Sequence, residues 1–424
     1  MPDTTLPIGS ARGVLVRSRW LIAEGAQPVR EGGLWIVRGR IEGVLRSPGE
    51  VRACQRRRSP RMVDLGDALV APGFVDAHAH LELSALAARV PAGRNFAAWI
   101  RTLIAERGKT SSKRLAAGAR AGADALLASG TTLVADIDSL GLLARALRGH
   151  PLRRIPFHEL LDARDPARTR PALARAHAAL RAARRLGHGL SPHAPTTVSA
   201  ALASGIARLA KRRRARVMVH WAETAEEERW LESGEGPLAA LLGASPLQRG
   251  LDLLEAAGLL GRRTLLVHGN LARPDERERV ARAGAVLVHC PGTHAFFARP
   301  RFALGAWRSA GARLALGTDS LASNGALDMR AEIAQLLRTQ PALHPREAWL
   351  LGTRDGAEAL GLAQRAGELR RGAFADFAVF GAGPARAGEI WEHLCRPGAP
   401  VREVWIAGKP VFRAALEPEK PLRS

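Results

Sequence analysis

Ala71-Pro-Gly-Phe-Val-Asp-Ala-His-Ala-His-Leu-Glu-Leu83 is an apolar run that ends in two histidines one residue apart. Read as a strand, its side chains alternate, so His78 and His80 face the same side and present two imidazoles to one point. Neutral imidazole nitrogens are zinc ligands, and a catalytic zinc takes about three protein ligands while keeping one position open. The run therefore predicts the first strand of an enzyme whose other ligands come from elsewhere in the chain.

Outward from this run, strand-like and helix-like stretches alternate between about residues 70 and 365. The strand candidates are Leu69–His80, Thr131–Asp136, Arg154–Glu159, Gly189–His193, Arg216–His220, Thr264–His268, Ala285–His289 and Arg313–Asp319. Stretches with helical spacing lie between them, such as Ser111–Leu127 and Pro274–Ala283. Repeated strand-then-helix units imply parallel strands, and eight of them imply a closed barrel with helices outside. The fold class is α/β, a (β/α)8 TIM-type barrel over residues 71–366. The flanks, 1–70 and 367–424, carry short strands at Gly13–Val16, Gly33–Val37, Ile41–Val44, Phe377–Phe380, Val404–Ile406 and Pro410–Phe412. They are expected to pair into one small β-sandwich domain built from both chain ends, followed by a tail at Glu417–Ser424.

Polar groups recur where these strands end. His193 follows the fourth, His220 ends the fifth with Glu223 three residues on, His268 ends the sixth and Asp319 ends the eighth. Barrel enzymes build their sites at this end of the strands, and so many imidazoles and carboxylates gathered there are not a pattern of chance. The pair His158-Glu159 ends the third strand, Glu82 follows the first, and His294 stands in Cys290-Pro-Gly-Thr-His294.

The bulk composition excludes several other classes. The chain has 424 residues, is 46% hydrophobic, and carries only three cysteines, Cys54, Cys290 and Cys395. Those numbers argue against a disulfide framework and for a reducing, cytoplasmic setting. No apolar run is long enough to span a membrane. A net charge of +23 raises nucleic-acid binding through stretches such as Arg56-Arg57-Arg58 and Lys211-Arg212-Arg213-Arg214. The arginines, however, are scattered over Ala/Leu-rich helical segments as solvated faces, and no aromatic-and-basic platform for bases accompanies them. The expected partner is a small-molecule substrate, with no specific nucleic acid and no membrane. The chain lacks the His-x-Glu…Pro-Cys-x-x-Cys deaminase pattern, His-Glu-x-x-His, a Walker loop, a Gly-x-Gly-x-x-Gly fingerprint and a Gly-x-Ser-x-Gly elbow.

Taken together, Pro72-Gly-Phe-Val-Asp-Ala-His-Ala-His80, His220-Trp-Ala-Glu223, His268 and Gly317-Thr-Asp319 resemble the amidohydrolase superfamily. They are most similar to its branch of cytosine deaminases, S-adenosylhomocysteine/methylthioadenosine deaminases and chlorohydrolases. The C-terminal Gly367–Val379 and Val404–Gly408 resemble the small β domain of that family. The resemblance implies that His78, His80, His220 and Asp319 hold one divalent metal, zinc first and iron second. It implies Glu223 as the proton shuttle and His268 as the residue that orients the water and stabilises the developing oxyanion; Asp319 would accept the water proton. The implied reaction is hydrolytic deamination of an adenine-type nucleoside by a metal-bound hydroxide; the alternative is a chlorohydrolase or another amidohydrolase of a nitrogen heterocycle. None of the lysines (Lys109, Lys113, Lys211, Lys409, Lys420) falls at a strand end, so no carbamylated lysine bridges a second metal. His80-Leu-Glu-Leu-Ser84 with Cys290-Pro-Gly-Thr-His294 resembles a smaller group, the aminodeoxyfutalosine deaminases of the menaquinone pathway. On that reading Glu82, His158, His193 and His294 bind substrate, and Arg94, Arg299 or Arg301 meets its carboxylate. The family also implies a homodimer.

Overall fold

Eight parallel strands lie side by side in chain order in the computed structural model, which describes residues 13–24, 28–91, 93, 95–181, 186–396 and 400–415. They are Phe74–Ala79, Thr131–Asp138, Arg153–Leu160, Gly189–Pro192, Arg216–Trp221, Thr264–His268, Val286–His289 and Arg313–Leu316. Strands one and eight meet through a parallel bridge at Ala79–Asp319, with His80 N donating to Asp319 O and Asp319 N to His78 O, each at 3.0 Å. The result is an α/β barrel.

Its packing follows the two-residue period of strands. One face of strands three, five, six and seven contributes Ile155, Phe157, Met218, Leu265, Val267, Val286 and Val288 to one apolar cluster. The alternate residues Leu190, Val217, Val219, Leu266 and Leu287 pack outward against helices such as Ala200–Arg213 and Met329–Thr339. Caps fix where those helices begin. Ser111, Ser199 and Thr224 each accept a backbone N–H from the first turn of the helix that follows, at 3.3, 3.1 and 3.0 Å.

Two further sheets come from the chain ends. One has the order 40–45, 33–37, 14–17, 61–64; the other has the order 409–413, 401–406, 377–382, 68–72, 20–21, 29–30. Val16, Leu34 and Ile36 of the first share a core with Val70, Phe377 and Trp405 of the second. Among the described residues no helix is long and apolar enough to cross a membrane.

One strand expectation needs correction. Leu69–His80 is not continuous: Ala68–Pro72 pairs antiparallel with Phe377–Ala382, and the barrel strand starts afresh at Phe74. Gly73 makes the break, for a Cβ there would lie 2.2 Å from Thr132 Cγ2. The structure also adds a helix, Pro48–Arg58, inside the N-terminal flank. The tail at Glu417–Ser424 lies outside the described residues.

Candidate metal centre and active site

His78 and His80 leave the first barrel strand on one side, and His220 reaches them from the fifth. One ring nitrogen from each of the three lies within 4.8 Å of the others. The second ring nitrogens of His78 and His220 are already engaged. His220 Nδ1 donates to the His193 carbonyl at 2.9 Å, and His78 Nδ1 faces Met218 Sδ at 3.0 Å. Those contacts hold the Nδ1–H tautomer and leave Nε2 with its lone pair free, the arrangement of a metal ligand.

The free nitrogens converge. His78 Nε2 is buried without a hydrogen-bond partner, and His80 Nε2 stands 3.2 Å from His220 Nε2. Asp319 Oδ1 lies 3.5 Å from His78 Nε2 and 3.7 Å from His80 Nε2. Burial, followed by His193 and His78, pushes His220 down to about 3, and burial with His78 pushes His80 well below the usual histidine range. Burial would raise the Asp319 carboxyl, but the adjacent His78, with His268 and His80 beyond, holds it below the carboxylate range. Three imidazoles around one carboxylate, one with an orphaned buried nitrogen, are a donor set that fits a single divalent cation.

Glu223 and His268 lie beside this group. Glu223 sits immediately before the cap Thr224 of helix Ala225–Ser233, where its N–H donates to Glu227 Oε2 at 2.8 Å. Its carboxyl is 14% exposed, 3.7 Å from His268 Nε2 and 3.0 Å from Arg299 Nη2. Burial pushes Glu223 up to about 7 against the pull of Arg299, which places its proton exchange near neutrality. His268 and Asp319 have φ of +77° and +60°, left-handed backbone that costs about 1–3 kcal/mol each and that the surrounding structure must impose.

The substrate-side residues divide. His193 stands with the centre, its ring 5.0 Å from His220 and its Nδ1 2.7 Å from Thr197 Oγ1. Glu82 is buried at the mouth, accepting from Arg107 at 3.0 Å and from Ser139, and burial pushes it up to about 7. His158 is not brought to the cluster. It lies on the opposite face of its strand from Phe157 and Glu159, with its ring 6.2 Å from His188. Glu159 takes the inward place, grouped with His193 and His220. His294 lies one step back, between Asn270 Oδ1 at 3.1 Å and the Pro300 carbonyl at 2.5 Å. Arg299 is at the site, Arg301 instead donates to Gln340 at 3.2 Å, and Arg94 lies outside the described residues.

Other contributors carried weaker sequence signals. Asp76, two residues before His78 on the same face, accepts from Thr318 Oγ1 at 2.6 Å, Thr318 N at 3.1 Å and His78 N at 3.1 Å, tying strand one to the turn before Asp319. A carboxylate inside an apolar strand was its only signal. Glu332 bridges the loops after strands seven and eight by accepting from Gly292 N and Asn324 Nδ2, each at 2.6 Å. Its helix position offered no signal.

Comparison with known proteins gives one consistent result. The model of the amidohydrolase family matches residues 69–411. A 5-methylthioadenosine/S-adenosylhomocysteine deaminase of Thermococcus kodakarensis is 30% identical over 335 residues, 75% of this chain and 75% of that protein. An aminodeoxyfutalosine deaminase of Deinococcus radiodurans is 31% identical over 366 residues, 80% of this chain and 84% of its own length. Among solved structures, an aminofutalosine deaminase of Helicobacter pylori in complex with methylthio-coformycin superposes with a TM-score of 0.83 at 21% identity, covering 94% of this chain and 100% of that one.

Proposed function

The chain belongs to the amidohydrolase family, in the branch related to methylthioadenosine/S-adenosylhomocysteine and aminodeoxyfutalosine deaminases, and we propose that it is a metal-dependent aminohydrolase releasing ammonia from an adenine-type nucleoside. Aminodeoxyfutalosine is the substrate we favour within that class, which places the enzyme in menaquinone biosynthesis. The carrying observation is the convergence of the His78, His80 and His220 nitrogens, with the buried Glu223 carboxyl beside His268 at 3.7 Å. We also read residues 71–366 as a catalytic barrel and 1–70 with 367–424 as one small β-sandwich domain.

In this reading His78, His80, His220 and Asp319 hold one divalent ion, zinc by preference for nitrogen donors. Such an ion supplies an acidified water, with a pKa of about 7 on zinc. Glu223 binds the edge of the purine and delivers a proton to the ring nitrogen next to the reacting carbon. That makes the carbon electrophilic, and the Glu223 carboxylate recovers a proton from the added hydroxyl as it becomes the product carbonyl. His268, neutral because burial pushes it well below the usual histidine range, orients the attacking oxygen and donates to it as charge develops. Asp319 takes the proton that the water gives up and hands it to the departing amine, which leaves as ammonia. Glu82 and His193 receive ribose hydroxyls at the mouth.

The test is ammonia release by metal-replete protein from adenosine, methylthioadenosine, S-adenosylhomocysteine, aminodeoxyfutalosine, cytosine and guanine. Turnover of a purine nucleoside is expected, with a loss of about 10²–10⁴-fold in Glu223→Gln while about one metal stays bound. No ammonia from any of these, with metal in place, would transfer the site to a chlorohydrolase or another amidohydrolase of a nitrogen heterocycle.

A further inference from the structure

The end of the barrel where its strands begin, opposite the metal centre, gathers guanidiniums without matching carboxylates. Arg216 opens the fifth strand, Arg216–Trp221, which carries His220 at its far end. Residues two apart on a strand share a face, so Arg216 lies on the face of Met218, a member of the apolar cluster inside the barrel. Arg263 stands in the same relation to Leu265 and Val267 of strand six, and Arg313 to Ala315 of strand eight. The three arginines thus share one layer below the apolar interior. Ala357, Leu360, Leu362 and Phe374 belong to that same cluster and close the floor around them.

Their partners are unequal. Arg313 donates to Glu358 Oε1 at 3.0 Å and to Gly284 O at 3.3 Å, and Arg263 donates to the Arg214 carbonyl. No carboxylate among the described residues bonds the guanidinium of Arg216 or of Arg263. Arg216 is half-buried and packed on the turn at Gly361, where a Cβ would lie 2.1 Å from its Nη2 and 2.8 Å from its Cζ. Burial, with Arg263 and Arg313 next, pushes Arg216 down to about 10. The charges that Arg216 meets are therefore cations of its own layer.

A half-buried charge without a counter-ion is costly, and like charges beside it add to that cost. A bound oxyanion removes the imbalance. Guanidiniums offer forked N–H pairs that match phosphate oxygens, and a phosphate group brings a charge of about −1.5 to −2 at neutral pH. Its tetrahedral oxygens can meet guanidiniums arriving from several strands, which a planar carboxylate of single charge does less well. Arg313 and Glu358 also line a cavity of about 490 Å³ whose walls carry the pairs Arg308–Glu347 and Arg354–Asp355. The cluster thus borders space that can admit an anion.

We propose that Arg216, Arg263 and Arg313 form a phosphate-binding site on the floor of the barrel, separate from the metal centre. Its ligand is a phosphate group, as free orthophosphate or as a small phosphate monoester, and it supplies the counter-charge that the floor lacks. Arg216 and His220 are four residues apart on one strand, which puts the two sites about 13 Å apart along it. The site is independent of the reaction assigned to the metal centre.

The test is the thermal midpoint of the metal-replete full chain, with no free metal in the buffer, as phosphate or ribose 5-phosphate replaces chloride at constant ionic strength. Phosphate stabilises proteins in general by exclusion from their surface, so the quantity read is the difference between wild type and Arg216→Met in the same buffers. Wild type is expected to rise by about 2–4 °C more than the variant at about fifty times the dissociation constant. In chloride alone Arg216→Met should match or exceed the wild-type midpoint, because it removes a charge without a partner. Arg216→Lys should keep part of the response, since it returns the charge without the fork. A response to orthophosphate alone identifies the free ion as the ligand, and a response to both identifies the monoester group. Equal rises in wild type and Arg216→Met would overturn the proposal. A variant clearly less stable than wild type in chloride would overturn it too, by showing that Arg216 is already satisfied within the chain. Arg263→Met, on an exposed side chain, gives a second comparison: about 10-fold more phosphate should be needed for the same rise, and an unchanged titration would count against the site.

Discussion

Gly317 is the position where a single methyl group should damage the metal centre without touching a ligand. It precedes Thr318-Asp319, and a Cβ built on it would lie 2.7 Å from His78 O, 2.9 Å from His78 Cβ and 3.0 Å from His78 N. Contacts below 3.0 Å do not occur for real Cβ atoms, and the obstacles here are backbone rather than a flexible side-chain end. The His78 carbonyl is also the acceptor for Asp319 N at 3.0 Å, so strands one and eight must separate by several tenths of an ångström at their junction. Overpacking of this kind costs about 1–3 kcal/mol. Because the strands that part carry His78 and Asp319, metal affinity should fall by about 10–100-fold, the range seen when the support of a ligand is disturbed. Gly317→Ala should therefore fold with a lowered thermal midpoint and lose metal to a competing chelator at concentrations that leave the wild type loaded. Metal content by mass spectrometry after dialysis against graded chelator measures this. Wild-type retention together with a wild-type midpoint would refute the seam as the determinant of the site.

Other perturbations test the surrounding structure. Glu227 is buried, and burial together with Glu228 pushes it up to about 8. Its folded pKa is thus above the unfolded value, so the folded state holds a proton that the unfolded chain gives up. Stability should fall as pH rises from about 4.5 through 8, and Glu227→Gln, which still accepts from Glu223 N, should flatten that fall in urea titrations at a series of pH values. An unchanged slope would show that Glu227 is not the group responsible. Asp376, 4% exposed, joins the barrel to the flanking sheet by accepting from Arg153 and from Ala407 N at 2.8 Å. Asp376→Ala strands the arginine and should cost about 3–5 kcal/mol by urea denaturation, and a cost below about 1 kcal/mol would dismiss it as a surface contact. Stripping the metal from wild type should lower the thermal midpoint, with recovery on adding back zinc in a concentration-dependent way; no dependence on metal would argue against a structural linkage.

The barrel was legible because each strand ends an apolar run just where a chemically distinctive residue stands, and because the helices between them carry clear caps and stripes. Pro48–Arg58 was not legible: arginine is its commonest residue, and Val51 alone among its side chains is buried. A helix held by so narrow a contact leaves no apolar stripe to read. The break at Gly73 was hidden for another reason, since Leu69–Val75 runs apolar across it and the crowding at Gly73 comes from Thr132, far along the chain. The pair His158-Glu159 shows the limit for site residues. A barrel strand is buried on both faces, with Ile155 and Phe157 on one and Leu160 on the other, so alternation in hydropathy does not tell which neighbour points inward. The grouping of Glu159 with His193 and His220 is a tertiary fact, as is the chain from His294 through Asn270 to Glu223.

The seam between strands one and eight explains why the ligand set and the closure of the barrel are one problem. The remaining barrel strands are joined by ladders of two or more residue pairs, whereas this junction rests on the single Ala79–Asp319 bridge, on the hydrogen bonds of His80 N and Asp319 N, and on Asp76 with Thr318. Two of the proposed ligands, His78 and His80, and a third, Asp319, sit at that junction, and Asp319 has a left-handed backbone there. An ion shared by His78, His80, His220 and Asp319 would therefore staple the weakest seam of the barrel to its fifth strand, and its binding energy would appear as folding energy. The strain at Asp319 and His268 is tolerable on the same account, since it is spent where an ion and a substrate, rather than apolar packing, complete the structure.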